Sequence, residues 1–424
     1  MAKEGKSAVV PRLRFPDFIG QTLREVRLSD VTTESTIRNG NGLPATSVMG
    51  VSKVTGIVPM EERIIASDIA RYKLVRKDWF AYNPMRVNIG SIARWRGDTD
   101  ILVSPDYVVF RCLDEPESGI EPDYLDHFRQ SVVWDAFVSE GGDGGVRVRI
   151  YYNDLARLGL ALPPRTEQQK IADCLTSLDE VIAAQGRKVD ALKTYKRGLM
   201  QQFFPRAGET LPRLRFPEFR DAPKWTTWEL GPMTSKVGSG ITPLGGDKNY
   251  KMQGRPFVRS QNVGWGELLL NDVAYIDEET HGSFSATEIK ENDVLLNITG
   301  ASIGRSAVAD SRIVGGNVNQ HVCIIRTKAD ELNPVFLNQF LISERGQKQI
   351  DGFQAGGNRQ GLNFAQIRSF DIPIPPTESE QQRVADSLSS LDAGIVAEVG
   401  KLEVLRSHKR GLMQQLFPCL EGGQ

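Results

Sequence analysis

The sequence predicts an α+β protein with a pseudo-two-fold internal repeat: two α/β globular segments separated by two long, antiparallel coiled-coil helices. Three observations predict it. A nine-residue tag and a 39-residue segment each occur twice. The longer segment carries a heptad seam. The stretches between alternate short apolar runs with glycine, proline and asparagine turns. A chain of 424 residues has room for two or three domains of about 100–200 residues each. Its 40% hydrophobic and 25% charged composition excludes wholesale disorder.

The tag VPRLRFPDF at residues 10–18 returns as LPRLRFPEF at 211–219. Residues 167–205 return without a gap as 380–418, with 22 identities over 39 positions. The offsets are 201 (10 to 211) and 213 (167 to 380), so the second half carries 12 extra residues. The intervening stretches, 19–162 and 220–374, hardly resemble each other. Two copies that agree beside two that differ predict one frame holding two readers. The expected segments are 1–162 (first globular domain), 163–205 (first helix), 206–374 (second globular domain) and 375–424 (second helix and tail).

Pro163–Pro164 and Pro375–Pro376 mark where each helix starts. Thr166 with Gln169, and Ser379 with Gln382, have capping-box spacing. The first seam runs Ile171, Leu175, Leu178, Ile182, Val189, Leu192, Leu199, Phe203, and the second Val384, Leu388, Leu391, Ile395, Leu402, Leu405, Leu412, Leu416. Gln185 and Lys196, with Glu398 and Lys409, fill the polar seam positions. The 4-3 spacing predicts a coiled coil roughly 57 Å long, and like helices on one chain pair most simply by an isologous, antiparallel contact. The bland reading, two helices each covering only its own domain, suits a broader apolar face than this stripe. Gly186, Gly394 and Gly400 lie inside the helices, where they mark bends or close contacts.

Composition excludes several function classes. Cys112, Cys174, Cys323 and Cys419 form no CxxC, and the four histidines show no metal-ligand spacing. No apolar run approaches the roughly 20 residues of a membrane span, and residues 1–15 lack a signal-peptide core. The expected compartment is the cytoplasm. A formal net charge of −1 excludes a general cationic coat, so any basic surface is local. No Walker loop or strand-following GxGxxG occurs, and the Asn83-Pro84-Met85 and Glu288-Ile289-Lys290 triplets are too short to define an enzyme. No catalytic or metal-binding residues are assigned, and the chain reads as a binder.

In the first segment Arg71, Lys73, Arg76, Lys77, Arg86, Arg94 and Arg96 stand against a single acid, Asp78, with Tyr72, Trp79, Phe80, Tyr82 and Trp95 interleaved. Basic side chains neutralise phosphates, while Arg and Asn, here including Asn88, offer bidentate contacts to base edges. A solvated strand pair with its aromatics in the core fits the same run. In the second segment the candidates are Lys251, Arg259, Gln261, Asn262, Asn319, Arg359 and Gln360, on glycine- and amide-rich loops. Such loops suit groove readout and equally suit tight turns held by side-chain–backbone bonds.

The motifs PPRTEQQKIADCLTSLD with KRGLMQQFFP, repeated as PPTESEQQRVADSLSSLD with KRGLMQQLFP, resemble the DNA-specificity subunit of type I restriction–modification systems over essentially the whole chain. YNPMRVNIGSIA and SPDYVVFR support the resemblance in the first half, and DVLLNITGASIGR, NVNQH and GGNRQGLNFAQI in the second. It implies two target-recognition domains, each reading one half of an asymmetric, interrupted double-stranded DNA target, with the helices setting the gap. It implies a non-catalytic chain with no cofactor of its own. Two modification subunits would bring S-adenosylmethionine, and restriction subunits would bring ATP and Mg. The helix residues expected to serve partner binding are Leu175, Leu178, Ile182, Leu192, Leu199, Leu388, Leu391, Ile395, Leu405 and Leu412. Two other classes compete: an assembly scaffold whose globular segments bind protein rather than DNA, and a self-sufficient methyltransferase or nuclease.

Overall fold

The computed structural model describes residues 10–40, 42–61, 64–115, 117–140, 149–243, 246–354 and 361–418. The long helices run Arg165–Phe203 and Glu378–Leu416. The chain divides into two compact units, Met1–Gln185 with Lys401–Gln424, and Gly186–Gly400. The division falls inside both helices, so each unit holds a globular segment and half of each helix.

In the first unit the strand Arg24–Arg27 pairs antiparallel with Gly159–Leu162, closing the segment just before the first helix begins. Inside it, four antiparallel strands form one sheet. Taken in chain order they are Thr32–Glu34, Phe80–Tyr82, Ile92–Arg94 and Val108–Cys112, and in space they lie first, fourth, second, third. Period-two alternation buries both faces. Phe80, Tyr82 and Phe110 join a core with Trp134, Ile171, Leu175, Met413, Leu416 and Phe417. Ala81 and Val109 face the other way, against Val75, Ile101 and Val103. Phe417 is gripped edge-on by Tyr124 and Phe128, with ring centroids 5.3 and 5.5 Å away.

The second unit repeats this plan with unrelated residues. Thr226–Glu229 pairs antiparallel with Asp371–Ile374, again closing the segment. Its four-stranded sheet takes Thr234–Ser239, Val294–Asn297, Ser306–Val308 and Val322–Thr327 in chain order, all antiparallel, with the same spatial order of first, fourth, second, third. One face packs on Phe336, Phe340, Phe370, Met200, Val384 and Leu388. The other, through Leu295 and Ile324, packs on Val258, Val263 and Ile313. Beside it Arg255–Val258 runs antiparallel to Ala274–Ile276 and parallel to Asn317–Val318.

All sixteen seam positions are buried or half-buried, and the pattern is the same in both copies. Within each unit the two helix halves run antiparallel. In the first, Lys409 Nζ donates to both oxygens of Asp179 at 2.6 and 2.7 Å. In the second, Lys196 Nζ donates to Asp392 at 2.7 and 2.8 Å. These pairs are repeat equivalents, each residue of one lying 213 positions from its counterpart in the other.

Two local expectations are corrected. The capping boxes do not form, because each helix starts one or more residues earlier than that motif requires. Thr377 caps the second helix, accepting from the Glu380 amide at 3.3 Å, and Gln169 and Gln382 instead donate to Asp173 and Asp386. Nor do Gly186, Gly394 and Gly400 mark close contacts: a Cβ at any of them would meet nothing within 4 Å.

Candidate nucleic-acid interface

The glutamates and glutamines that open each helix hold the frame. Glu167 receives Arg14 of the first tag through two bonds of 2.8 and 2.7 Å, and Glu380 receives Arg215 of the second at 2.7 and 2.8 Å. The next residue stitches the globular segment: Gln168 accepts from the Glu121 amide, and Gln381 from the Asn333 amide, both at 2.8 Å. These residues explain the repeated motif by packing alone. The shared sheet order then delivers equivalent loops to one end in each unit: the connection between the second and third strands, and the turn entering the fourth.

In the second unit those loops are 298–305 and 319–321. Gly240–Pro243, leaving the first strand, lies beside them. Gly240 N–H donates to Asn319 O at 3.2 Å, and a Cβ at Gly240 would sit 1.6 Å from Val318 O, so only glycine permits this approach. Ile298 N–H donates to His321 O at 3.0 Å, and Leu362 N–H to Ile298 O at 2.9 Å. The polar tips meet in a row. Thr242 Oγ1 donates to Gln320 Oε1, Gln320 Nε2 meets His321 Nε2 at 2.9 Å, and His321 Nδ1 meets Thr299 Oγ1 at 2.5 Å. Gln320 and Thr242 are exposed, and His321 and Thr299 half-buried.

The expected residues of this unit fall out differently. Asn319 is 8% exposed, and its side chain accepts from the His321 amide to shape the turn. Asn262 is buried with its amide consumed by Arg259 N, Leu269 O and Asp272 O. Both shape turns, and Asn262, whose two amide hydrogens are spent inside the unit, is corrected from its assignment as a reader. Arg259 donates to Asp272 O at 2.8 Å, stacks on Tyr250, and shares Asp272 with Gln261, which stays exposed. Lys251 lies 3.4 Å from Asp277. Arg359 and Gln360 lie outside the described residues. The row Thr242–Gln320–His321–Thr299 was missed. The signal available was strand alternation: if Asn319 points inward, its neighbour Gln320 points out.

In the first unit the basic run is split between opposite ends of the sheet. Arg86 and Asn88, exposed and without side-chain partners among the described residues, occupy loop 83–91, equivalent to 298–305. Arg76, Lys77, Arg94 and Arg96 collect at the other end, where carboxylates meet them. Arg76 lies 3.6 Å from Asp100, and Lys77 2.6 Å from Asp98. Arg94 has a side chain only 4% exposed, held by Asp123, Asp78 and Asp126. Arg96 and Arg129 reach Asp126 at 2.8 and 2.7 Å. Burial alone would raise the Asp126 carboxyl, but Arg129 and Arg96 outweigh it and hold it below the ordinary carboxylate range. Lys73 is half-buried on Tyr107 O, and burial lowers its pKa. Arg71 is exposed and its carbonyl accepts from Arg38. Arg94 is therefore corrected from base reader to structural ion-pair hub.

Two of the helix residues expected to bind partners, Leu175 and Leu388, are also corrected. Leu175 and Leu388 are fully buried in the cores of their own units, and Leu412 and Leu199 pack against those cores. Leu178, Ile182, Leu192, Leu391, Ile395 and Leu405 are half-buried along the seam. A heptad stripe that finds its mate in the same chain is spent there.

One repeated frame thus presents a chemically different loop cluster in each unit. Residues 225–406 match the family model for the type I restriction modification DNA specificity domain. The putative type I restriction enzyme MjaX specificity subunit of Methanocaldococcus jannaschii is 23% identical over 363 residues, covering 84% of this chain and 81% of that one. The EcoBI specificity subunit of Escherichia coli is 25% identical over 158 residues, 35% of this chain and 33% of its own. Two solved structures share the fold. One, from work on complex assembly and conformational transition of the type I R-M system, has a TM-score of 0.57 at 17% identity, covering 93% of this chain and 97% of that one. The other, the type I restriction-modification S subunit from M. genitalium, has a TM-score of 0.56 at 12% identity, covering 97% and 99%. The likenesses are thus to specificity subunits of type I restriction–modification systems, with residues 225–406 matching the specificity-domain family.

Proposed function

We propose that each globular unit reads one half of an asymmetric, interrupted sequence in double-stranded DNA, and that the chain performs no chemistry itself. One observation carries this reading: the two units share a strand order but present different side chains at the same sheet end, Arg86 and Asn88 in one and the Thr242–Gln320–His321–Thr299 row in the other. A common frame with divergent tips is what independent readout of two half-sites requires. The paired helices set the gap between half-sites. Two modification subunits dock on the assembled chain and methylate adenine with S-adenosylmethionine, and restriction subunits using ATP and Mg complete the nuclease.

The test is co-expression with the cognate modification subunit in a methylation-free host, followed by genome-wide mapping of methylated adenine. The expected result is one bipartite motif with a fixed gap. Exchanging residues 19–162 for those of another specificity subunit changes one half only. A stable complex with an active modification subunit that methylates no defined motif returns the chain to the scaffold class.

A further inference from the structure

The second unit holds one side chain whose hydrogen-bonding capacity is half used and half presented. Gln320 is exposed between buried Asn319 and half-buried His321, on the turn entering Val322–Thr327. An amide carries two acceptor sites on oxygen and two donors on nitrogen. Thr242 Oγ1 occupies one acceptor site of Gln320, and His321 Nε2, at 2.9 Å, takes one of its N–H groups. Among the described residues this leaves one acceptor site and one N–H of the exposed Gln320 amide without a partner.

The orientation is held by atoms beyond the amide. With its Nε2 accepting from Gln320, a neutral His321 carries its proton on Nδ1 and donates it to Thr299 Oγ1, 2.5 Å away. His321 is held in turn by its own amide on Asn319 Oδ1 at 3.1 Å and its carbonyl on Ile298 N–H at 3.0 Å. Thr242 is held through Gly240, whose approach to Val318 admits no side chain. A long, flexible residue is thus fixed before any ligand arrives, which lowers the entropy lost on binding.

We propose that Gln320 reads an adenine in the major groove of the half-site bound by the second unit, with Thr242, His321 and Thr299 as positioning residues; this rests on the DNA-reading function proposed above. Adenine presents a donor at N6 beside an acceptor at N7, the complement of a free amide acceptor beside a free donor. Guanine presents two acceptors, O6 and N7, and would set its O6 against the Gln320 carbonyl. Asn262 has both amide hydrogens spent on Leu269 O and Asp272 O, and Asn319 is buried where Gln320 is exposed.

The test compares wild type, Gln320→Ala and Gln320→Glu, each in complex with the modification subunit. Methylated motifs are mapped genome-wide, and duplex affinity is measured on the wild-type target and on targets altered at each base. Gln320→Ala should relax one adenine position, on either strand, in one half-site. Its affinity for the wild-type target should fall roughly 5- to 150-fold. Gln320→Glu, which can accept from cytosine N4, should move the preference at that position to cytosine. Thr242→Val should weaken discrimination at the same position only. Motifs unchanged in both Gln320 variants, or an equal loss on every duplex, would overturn the proposal while leaving the DNA-reading function standing. No bipartite motif from the wild-type complex would overturn both. Equal melting temperatures for wild type and variants identify the effect as readout.

Discussion

At the scale of single residues, the pairs Arg14–Glu167 and Arg215–Glu380 are the most committed charges in the described structure. Their side chains are 7% and 1% exposed in the first pair, 8% and 1% in the second. Glu380 also accepts from Trp225 Nε1 at 3.0 Å, so removing Arg215 strands a buried carboxylate that still has one donor. Breaking a buried pair from one side costs about 3–5 kcal/mol, more than replacing both partners with apolar residues. Arg215→Ala should therefore lower the melting temperature more than Arg215→Met with Glu380→Leu, a ranking that calorimetry checks directly. His127 offers a second test. It occupies the sixth position of the helix Pro122–Phe128, as Gln339 does in Pro334–Leu341. Gln339 donates to Asp392 at 2.8 Å, whereas His127 bonds Thr176 at 2.9 Å and leaves Nδ1 3.8 Å from Asp179. Burial first, and the Lys409 charge second, push the His127 pKa below its ordinary 6.5. The unfolded chain then takes up a proton before the folded one does, so stability falls as pH drops below about 6.5 and on through the folded value. His127→Gln should flatten that fall, read as melting temperature against pH between 7.5 and about 5.

At the scale of elements, the long helices were the most legible part of the sequence, because a 3.5-residue stripe with two polar interruptions has few other uses. Their starts were less so: a Thr-x-x-Gln spacing looks the same whether threonine sits at the cap or one turn-position inside. The strand order was not legible at all. Thr32–Glu34 pairs with Val108–Cys112 across a long stretch of chain, and no local pattern records that choice. Site residues suffered from the same limit. A run from Arg71 to Arg96 looks continuous, yet reversing direction at 83–91 leaves its middle, Arg86 and Asn88, at one end of a sheet and returns Arg94 and Arg96 to the end of Arg76 and Lys77. Gly186, Gly394 and Gly400 give an element-scale prediction. Because a Cβ meets nothing at these sites, alanine should add about 1 kcal/mol each by helix propensity. Melting temperatures should rise while the methylated motif stays the same; a fall would mean the helices need the glycine backbone.

At the scale of the whole chain, charge bears on how the proposed DNA binding would divide between this chain and the proposed modification subunits. Lys and Arg number 52 against 53 Asp and Glu, so there is no net attraction to a polyanion. The local basic run does not compensate, since Arg76, Lys77, Arg94 and Arg96 already face aspartates. At the proposed reading loops, Arg86, Lys53 (beside Gly90) and Arg305 have no carboxylate partner among the described residues. If each neutralises one phosphate, the isolated chain releases about three counterions, and log affinity against log salt should slope about −3. If the proposed modification subunits supply the remaining phosphate contacts, their complex with this chain should slope more steeply. Specificity and affinity are then carried by different chains, with base edges read here and most of the backbone held elsewhere. Titrating a target duplex at several salt concentrations, with the chain alone and with the complex, measures both slopes. A slope near −8 for the isolated chain would place the phosphate clamp in this subunit and overturn the division.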